Sequence, residues 1–151
     1  MMATNSPEPI SAHFPFQKQR AEVLGSQMAY VDVGLLSGSA TVFLLCNLMC
    51  AYLWRNIIPH FSGKSRLVAA DLIGFGHSDK VTGFEYRAVD HQRFVDAFLD
   101  AVQLTEKLTL LLYDWGSALG IDWARLCEDR IAGLASWSSS YPPIAGKCSP
   151  R

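Results

Sequence analysis

Leu108-Thr-Leu-Leu-Leu-Tyr-Asp-Trp-Gly-Ser-Ala-Leu-Gly120 decides how this chain reads. An apolar run ends at one carboxylate, Asp114, and gives way at once to a helix-like pattern from Trp115 to Cys127. The stretch is predicted to form a strand, a sharp turn and a helix. In an α/β protein such a turn lifts one side chain out of the end of the sheet, at the positive end of the next helix, where backbone N–H groups can hold an anion. A carboxylate stands where G-x-S-x-G would put a hydroxyl, so covalent chemistry here would be an Asp attacking carbon to form an ester. On these residues alone, the plainer role for Asp114 is a strand-end cap for the helix that begins at Trp115.

Working outward, Phe14 to Leu24 and Gln27 to Val33 alternate apolar and polar residues around Gly25-Ser26, the pattern of a hairpin. Thr41 to Leu45 is a β-branched and aromatic run suited to a strand buried on both faces. Ala51 to Phe61 is helical by pattern, Arg66 to Leu72 reads as another short strand, and Gly74-Phe-Gly76 as the loop beyond it. Glu85 to Leu104 places Phe94, Val95, Phe98, Leu99, Ala101 and Val102 among Asp96, Asp100 and Gln103, an amphipathic helix. Ile131 to Ala135 opens a further strand. Strands alternating with helices imply a parallel sheet with right-handed crossovers, the central strand Leu108 to Tyr113 having parallel neighbours on both sides and helices on both faces.

The 151 residues are 50% hydrophobic and 18% charged, which suits one ordinary globular domain. A formal charge of -1 offers no electrostatic case for nucleic acid or an anionic membrane surface. Met1 to Pro9 lacks the basic start and apolar core of a signal peptide and reads as a disordered leader. The longest apolar stretch, Ala40 to Trp54, is interrupted by Asn47 and is shorter than the roughly 20 residues a membrane helix needs. Cysteines 46, 50, 127 and 148 lack zinc-site spacing and read as reduced thiols of a cytoplasmic protein. Gly74-x-Gly76 lacks the third glycine of a dinucleotide loop, with Asp79 in its place, so no cofactor is expected, and His77 reads as a solvated loop residue.

Asp114-Trp-Gly-Ser-Ala-Leu-Gly120, Asn47, Ala51-Tyr-Leu-Trp-Arg-Asn-Ile-Ile-Pro-His60 and Asp71-Leu-Ile-Gly-Phe-Gly-His-Ser-Asp-Lys80 together resemble the haloalkane dehalogenases of the α/β-hydrolase fold, from about Phe14 to Ala135. The resemblance implies that Asp114 is the catalytic nucleophile that displaces halide from a small halogenated alkane, leaving an alkyl ester for a His-activated water to hydrolyse. It likewise implies that the Trp115 indole and the Asn47 amide bind the departing halide. Both groups suit that role, since an indole N–H and an amide N–H donate to charge as it gathers on the leaving atom. It implies no cofactor and no metal.

The departures from the family pattern bear on activity. Leu45-Cys-Asn-Leu48 stands in place of His-Gly-Asn-Pro, removing the Gly and Pro that shape the loop around Asn47. Tyr113 replaces the His that precedes the nucleophile. Where relatives continue Phe-Met-Glu-Phe-Ile, with the Glu that orients the catalytic His, this chain has Ser136-Trp-Ser-Ser-Ser140, and Ser138 falls at the acid's position. Codons TTC ATG GAG TTC ATC that lose one T become TCA TGG AGT TCA TC, which reads Ser-Trp-Ser-Ser-Ser. We therefore expect the tail from Ser136 to be translated in a shifted frame, through a deletion, a misassigned splice site or alternative splicing. The absence of dehalogenase-like codons in any frame downstream at the locus would refute this.

The expected fold is an α/β class, incomplete α/β-hydrolase core: leader 1–13, hydrolase portion 14–135, irregular tail 136–151, with the cap domain and later strands and helices absent. The expected function is a dehalogenase-like hydrolase without turnover, since no acid or base for the ester remains. Two other readings compete. An epoxide hydrolase shares the Asp-Trp-Gly turn, although Asn47 and Ser117-Ala-Leu-Gly120 favour the dehalogenase. A non-catalytic interaction protein would use an exposed sheet edge to self-associate or to pair with a full-length relative.

Overall fold

The computed structural model describes residues 9–35, 38–45, 49–61 and 63–137. Lys18–Val23 (β1) and Ser26–Gly34 (β2) form the expected hairpin, closed by Leu24 and Gly25 at φ 50° and 77°. Two positive φ angles in a two-residue loop match the right-handed twist of the flanking strands. Ala40–Leu44 (β3), Arg66–Ala70 (β4), Leu108–Tyr113 (β5) and Ile131–Trp137 (β6) complete a six-stranded sheet in the order β1-β2-β4-β3-β5-β6. The hairpin joins antiparallel through β2 and β4, while β4, β3, β5 and β6 run parallel. β5 thus has a parallel neighbour on each side, and β6 carries on past Ala135 to pair Tyr113 with Trp137.

Side chains sort by the pleat into two cores. Val42, Leu44, Val68, Leu108, Leu110 and Leu112 point to one face, against Phe94, Val95, Phe98 and Leu99 of Ala88–Ala101 (α1) and Leu119 and Trp123 of Trp115–Leu126 (α2). Val31, Phe43, Leu67, Ala69 and Leu111 point to the other, against Trp54 and Ile58, with Phe14, Phe16 and Phe61 at its margin. Both α-helices therefore lie on one face, while the other is covered by the helical turns of Ala51 to Phe61. The segment Ala51 to Phe61 is a pair of 3₁₀ turns, Ala51–Asn56 and Ile58–Phe61. Pro59 explains this, because its ring would clash with the carbonyl four residues back in a continuous α-helix. The N–H groups of Leu53, Ile57 and His60 instead donate three residues back, at 2.9 to 3.0 Å.

α1 is shorter than the periodicity suggests because Tyr86 at φ 55° and Gln103 at φ 58° break it at both ends. Its N-terminus is closed by Asp90, whose carboxylate accepts the Arg87 N–H at 3.3 Å. At the foot of the sheet Arg130 is buried, donating to the carbonyls of Thr105 at 3.0 Å and Leu104 at 2.8 Å and to Asp100 at 2.8 Å. Its guanidinium also lies over Trp123, whose indole N–H donates to buried Asp96 at 2.9 Å. Cys127 takes part in a disulfide, which corrects the expectation of four reduced thiols, and Cys50 is a free thiol. Among the described residues no helix is long and apolar enough to cross a membrane.

Candidate functional site

β5 ends at Tyr113 and α2 begins at Trp115, so the whole reversal of direction falls on Asp114. Its backbone takes φ 52°, ψ -117°, a region that costs a non-glycine residue about 1–3 kcal/mol and persists only when its surroundings over-determine it. The surroundings are specific. The Asp114 N–H donates to the Trp137 carbonyl at 3.1 Å, and its own carbonyl accepts the Ser117 N–H at 2.9 Å. The buried Ser117 hydroxyl donates to the same Trp137 carbonyl at 3.3 Å. Two glycines then let α2 lie against the sheet. A Cβ on Gly116 would sit 2.4 Å from the Leu44 carbonyl carbon and 2.5 Å from the Leu45 nitrogen, and one on Gly120 2.4 Å from the Leu112 side chain.

The Asp114 side chain makes no capping hydrogen bond to α2, so the capping role that the local residues suggested is not the one it plays. A half-buried carboxylate is left at the end of the sheet, beside the first turn of a helix. Trp115, next in the chain, is also half-buried. Asn47 lies outside the described residues, as does Ser138. What the structure does give is the two flanks of Asn47. Leu44 and Leu45 rest on Gly116, and Ala51 is tied to Asp71 just beyond β4.

That tie is Asp71, a fully buried carboxylate whose role the sequence did not reveal. Its Oδ1 accepts the Ala51 N–H at 2.7 Å, and its Oδ2 accepts the His77 N–H at 2.8 Å and the Lys18 ammonium. His77 is mostly exposed, with its Nδ1 3.0 Å from the Lys18 ammonium, in keeping with a loop residue. Gly74 and Gly76 have packing duties of their own, since Cβ atoms there would strike the Tyr86 ring and the Asp71 carboxylate.

A second group missed in the sequence surrounds His91 of α1. This histidine is 1% exposed, stacked on Phe75 with ring centroids 5.7 Å apart and set edge-to-face against Trp115 at 5.8 Å and 88°. Phe84 and Tyr86 close the cluster. Burial lowers the imidazole pKa from its ordinary value, partly opposed by the Asp90 carboxylate. The helical period placed His91 near the apolar face, but nothing in the sequence linked it to an indole 24 residues on. Among the described residues no cluster of His, Cys, Asp and Glu could hold a metal ion.

Residues 41–150 match the family of the alpha/beta hydrolase fold, and the chain belongs to that family. Within it, the chain is similar to haloalkane dehalogenases. That of Sphingobium indicum is 43% identical over 134 residues, 86% of this chain and 45% of the relative. That of Mycolicibacterium smegmatis is 43% identical over 83% of this chain and 41% of the relative. Among solved structures, DBJA superposes with a TM-score of 0.77 at 40% identity, covering 80% of this chain and 39% of that one. The haloalkane dehalogenase DatA of Agrobacterium tumefaciens C58 gives 0.75 at 40% identity, covering 85% and 43%. The chain thus spans less than half the length of these relatives.

Proposed function

We propose that these 151 residues carry the nucleophile half of a haloalkane dehalogenase site, within an α/β-hydrolase portion from about residue 14 to 135. One Asp114 carboxylate oxygen attacks the halogen-bearing carbon, the carbon–halogen bond breaks with its electron pair, and an alkyl ester and a halide ion result. The Trp115 indole N–H and the Asn47 amide donate to the halide as it leaves. The observation that carries this reading is the strained backbone of Asp114, whose side chain makes no capping hydrogen bond to α2 and which is followed directly by the indole of Trp115. Similarity to dehalogenases at 43% identity supports the substrate class.

The ester is where we propose the reaction stops. Hydrolysis needs a general base for water. Of the four histidines, His13, His60 and His77 are exposed on other segments and His91 is enclosed by aromatic rings. Ser138 in place of an acid, and a tail from Ser136 out of frame, fit the same account. The test is to incubate a protein of these 151 residues with 1-bromobutane and follow intact mass and bromide. The expected result is one butyl adduct on Asp114, absent in Asp114→Asn, with no more than one bromide released per chain. Sustained bromide release that Asp114→Asn abolishes would overturn the single-turnover account. Adduct formation that survives Asp114→Asn would overturn the nucleophile.

A further inference from the structure

We propose that His91 is a positioning residue for Trp115, and that its charge state sets how tightly the indole holds a halide. The inference rests on the reading of Trp115 as a halide donor. His91 occupies a core position on α1, yet neither of its ring nitrogens has a hydrogen-bond partner among the described residues. Leaving buried polar atoms unpaired is costly, and Phe or Leu would fill the same volume without that penalty. A histidine here therefore needs a reason beyond packing. The neighbours suggest one. Phe75 stacks on one side of the ring at an interplanar angle of 19°, Phe84 and Tyr86 bound it, and the remaining aromatic contact is the edge-to-face pair with Trp115.

That arrangement passes the rigidity of α1 to the indole. Phe75 and Tyr86 also contact each other, so the loop after β4 backs the imidazole while the imidazole backs Trp115. An edge-to-face pair contributes about 1 kcal/mol beyond its buried area, roughly fivefold in a binding constant if it is felt only when the indole is in place. Protonation adds a second effect. A cationic imidazole one ring away from a bound halide attracts it, and by linkage the halide favours the proton. The titratable and charged groups near this pair are Asp90 on α1, Arg87 just before it, Tyr86 on the loop, and Asp114 adjoining the indole. Other charged groups adjoin the pair, so the histidine's share must be isolated by a variant.

The experiment is a bromide titration of the full chain followed at the Trp115 indole N–H resonance, assigned with Trp115→Phe, at pH 7.5 and pH 5.5. In the unsubstituted protein bromide should move this resonance, and more tightly at the lower pH. His91→Phe keeps a flat ring and should hold the pH 7.5 affinity within about twofold while losing the part of the acid-side tightening that His91 supplies. His91→Ala should weaken bromide about fivefold at pH 7.5 and shift the Trp115 resonance in the free protein, with the Trp54 and Trp123 resonances reporting an intact core. No bromide response in the unsubstituted protein sinks the halide reading and this inference with it. A response that is the same in His91→Phe at both pH values, or undiminished in His91→Ala, leaves the halide reading standing and overturns this one. Should His91→Ala fail to fold, the comparison with His91→Phe decides alone.

Discussion

Replacing Gly116 by alanine isolates the contact that seats the candidate site on the sheet. The added Cβ would meet the Leu44 carbonyl carbon at 2.4 Å, its oxygen at 2.5 Å and the Leu45 nitrogen at 2.5 Å, all backbone atoms of the strand end that cannot rotate away. α2 must therefore lift by about 1 Å, and overpacking of this kind costs about 1–3 kcal/mol or somewhat more. Alanine returns up to about 1 kcal/mol of helix propensity, leaving a net loss near 2 kcal/mol. For a chain of 151 residues that is roughly a 6 °C fall in Tm. Gly120→Ala is the control. The atoms nearest its Cβ would belong to the Leu112 side chain, the two methyls at 2.4 and 2.8 Å, and a rotamer change of about 1 kcal/mol nearly cancels the helix gain. The assay is thermal and urea unfolding of both variants beside the rate of butyl adduct formation on Asp114. Gly116→Ala should lose about 100-fold in alkylation rate, because a displacement of about 1 Å is enough to misalign the attacking oxygen. Equal stability of the two variants, or a larger loss in Gly120→Ala, would refute the seating of α2 on Leu44 and Leu45.

The other expectations address the rest of the molecule. Arg130→Met removes the donor to Thr105, Leu104 and Asp100 at a buried position and should cost about 3 kcal/mol in urea unfolding; a loss under about 1 kcal/mol would show the network to be dispensable. Burial holds the His91 pKa below its unfolded value, so the folded state binds fewer protons than the unfolded one in the window beneath about pH 6.5. Stability from this group is present above that pH and declines as pH falls toward the folded pKa, and the part of the acid-side decline that His91→Phe removes measures it; a variant with an unchanged pH profile contradicts the assignment. At the sheet edge, Leu134 and Trp137 of β6 are 44% and 52% exposed. Leu134→Lys should reduce self-association in sedimentation and the binding of dyes to apolar surface, and a parent protein that is monomeric without dye binding would contradict this.

Much of the frame was legible because its signals are local. The apolar run into Asp114, the hairpin around Gly25 and the α1 periodicity each depend on a few adjacent residues. The segment from Ala51 to Phe61 is helical as its pattern indicates, but apolar spacing fits a helix of either pitch and does not choose the 3₁₀ form. Asp114 did mislead. Its position before a helix is that of a cap, but capping requires an extended backbone at that residue, and the turn out of β5 gives it φ 52°. Asp71 and His91 were illegible for a different reason. Each sits inside a patterned segment and acts on residues far away in the chain: Asp71 on Ala51 and Lys18, His91 on Trp115.

The departures around Asn47 take on mechanical meaning beside the Gly116 contact. In relatives with His-Gly-Asn-Pro, glycine and proline set the loop from within. Here Leu45-Cys-Asn-Leu lacks both, and the residues described are those at its two ends. One end is Leu44 and Leu45, pressed against the helix turn that carries Asp114 and Trp115; the other is Ala51, held by the Asp71 carboxylate. Both anchors act through main-chain atoms, which tolerate a change of side chain within the loop. Asp114 and the Trp115 indole thus have described neighbours on either side, whereas Asn47 lies in a stretch that lacks both glycine and proline. Restoring Gly and Pro at positions 46 and 48 should consequently strengthen halide binding without altering the stability contributed by Gly116, and equal bromide affinity before and after would show that the two ends suffice.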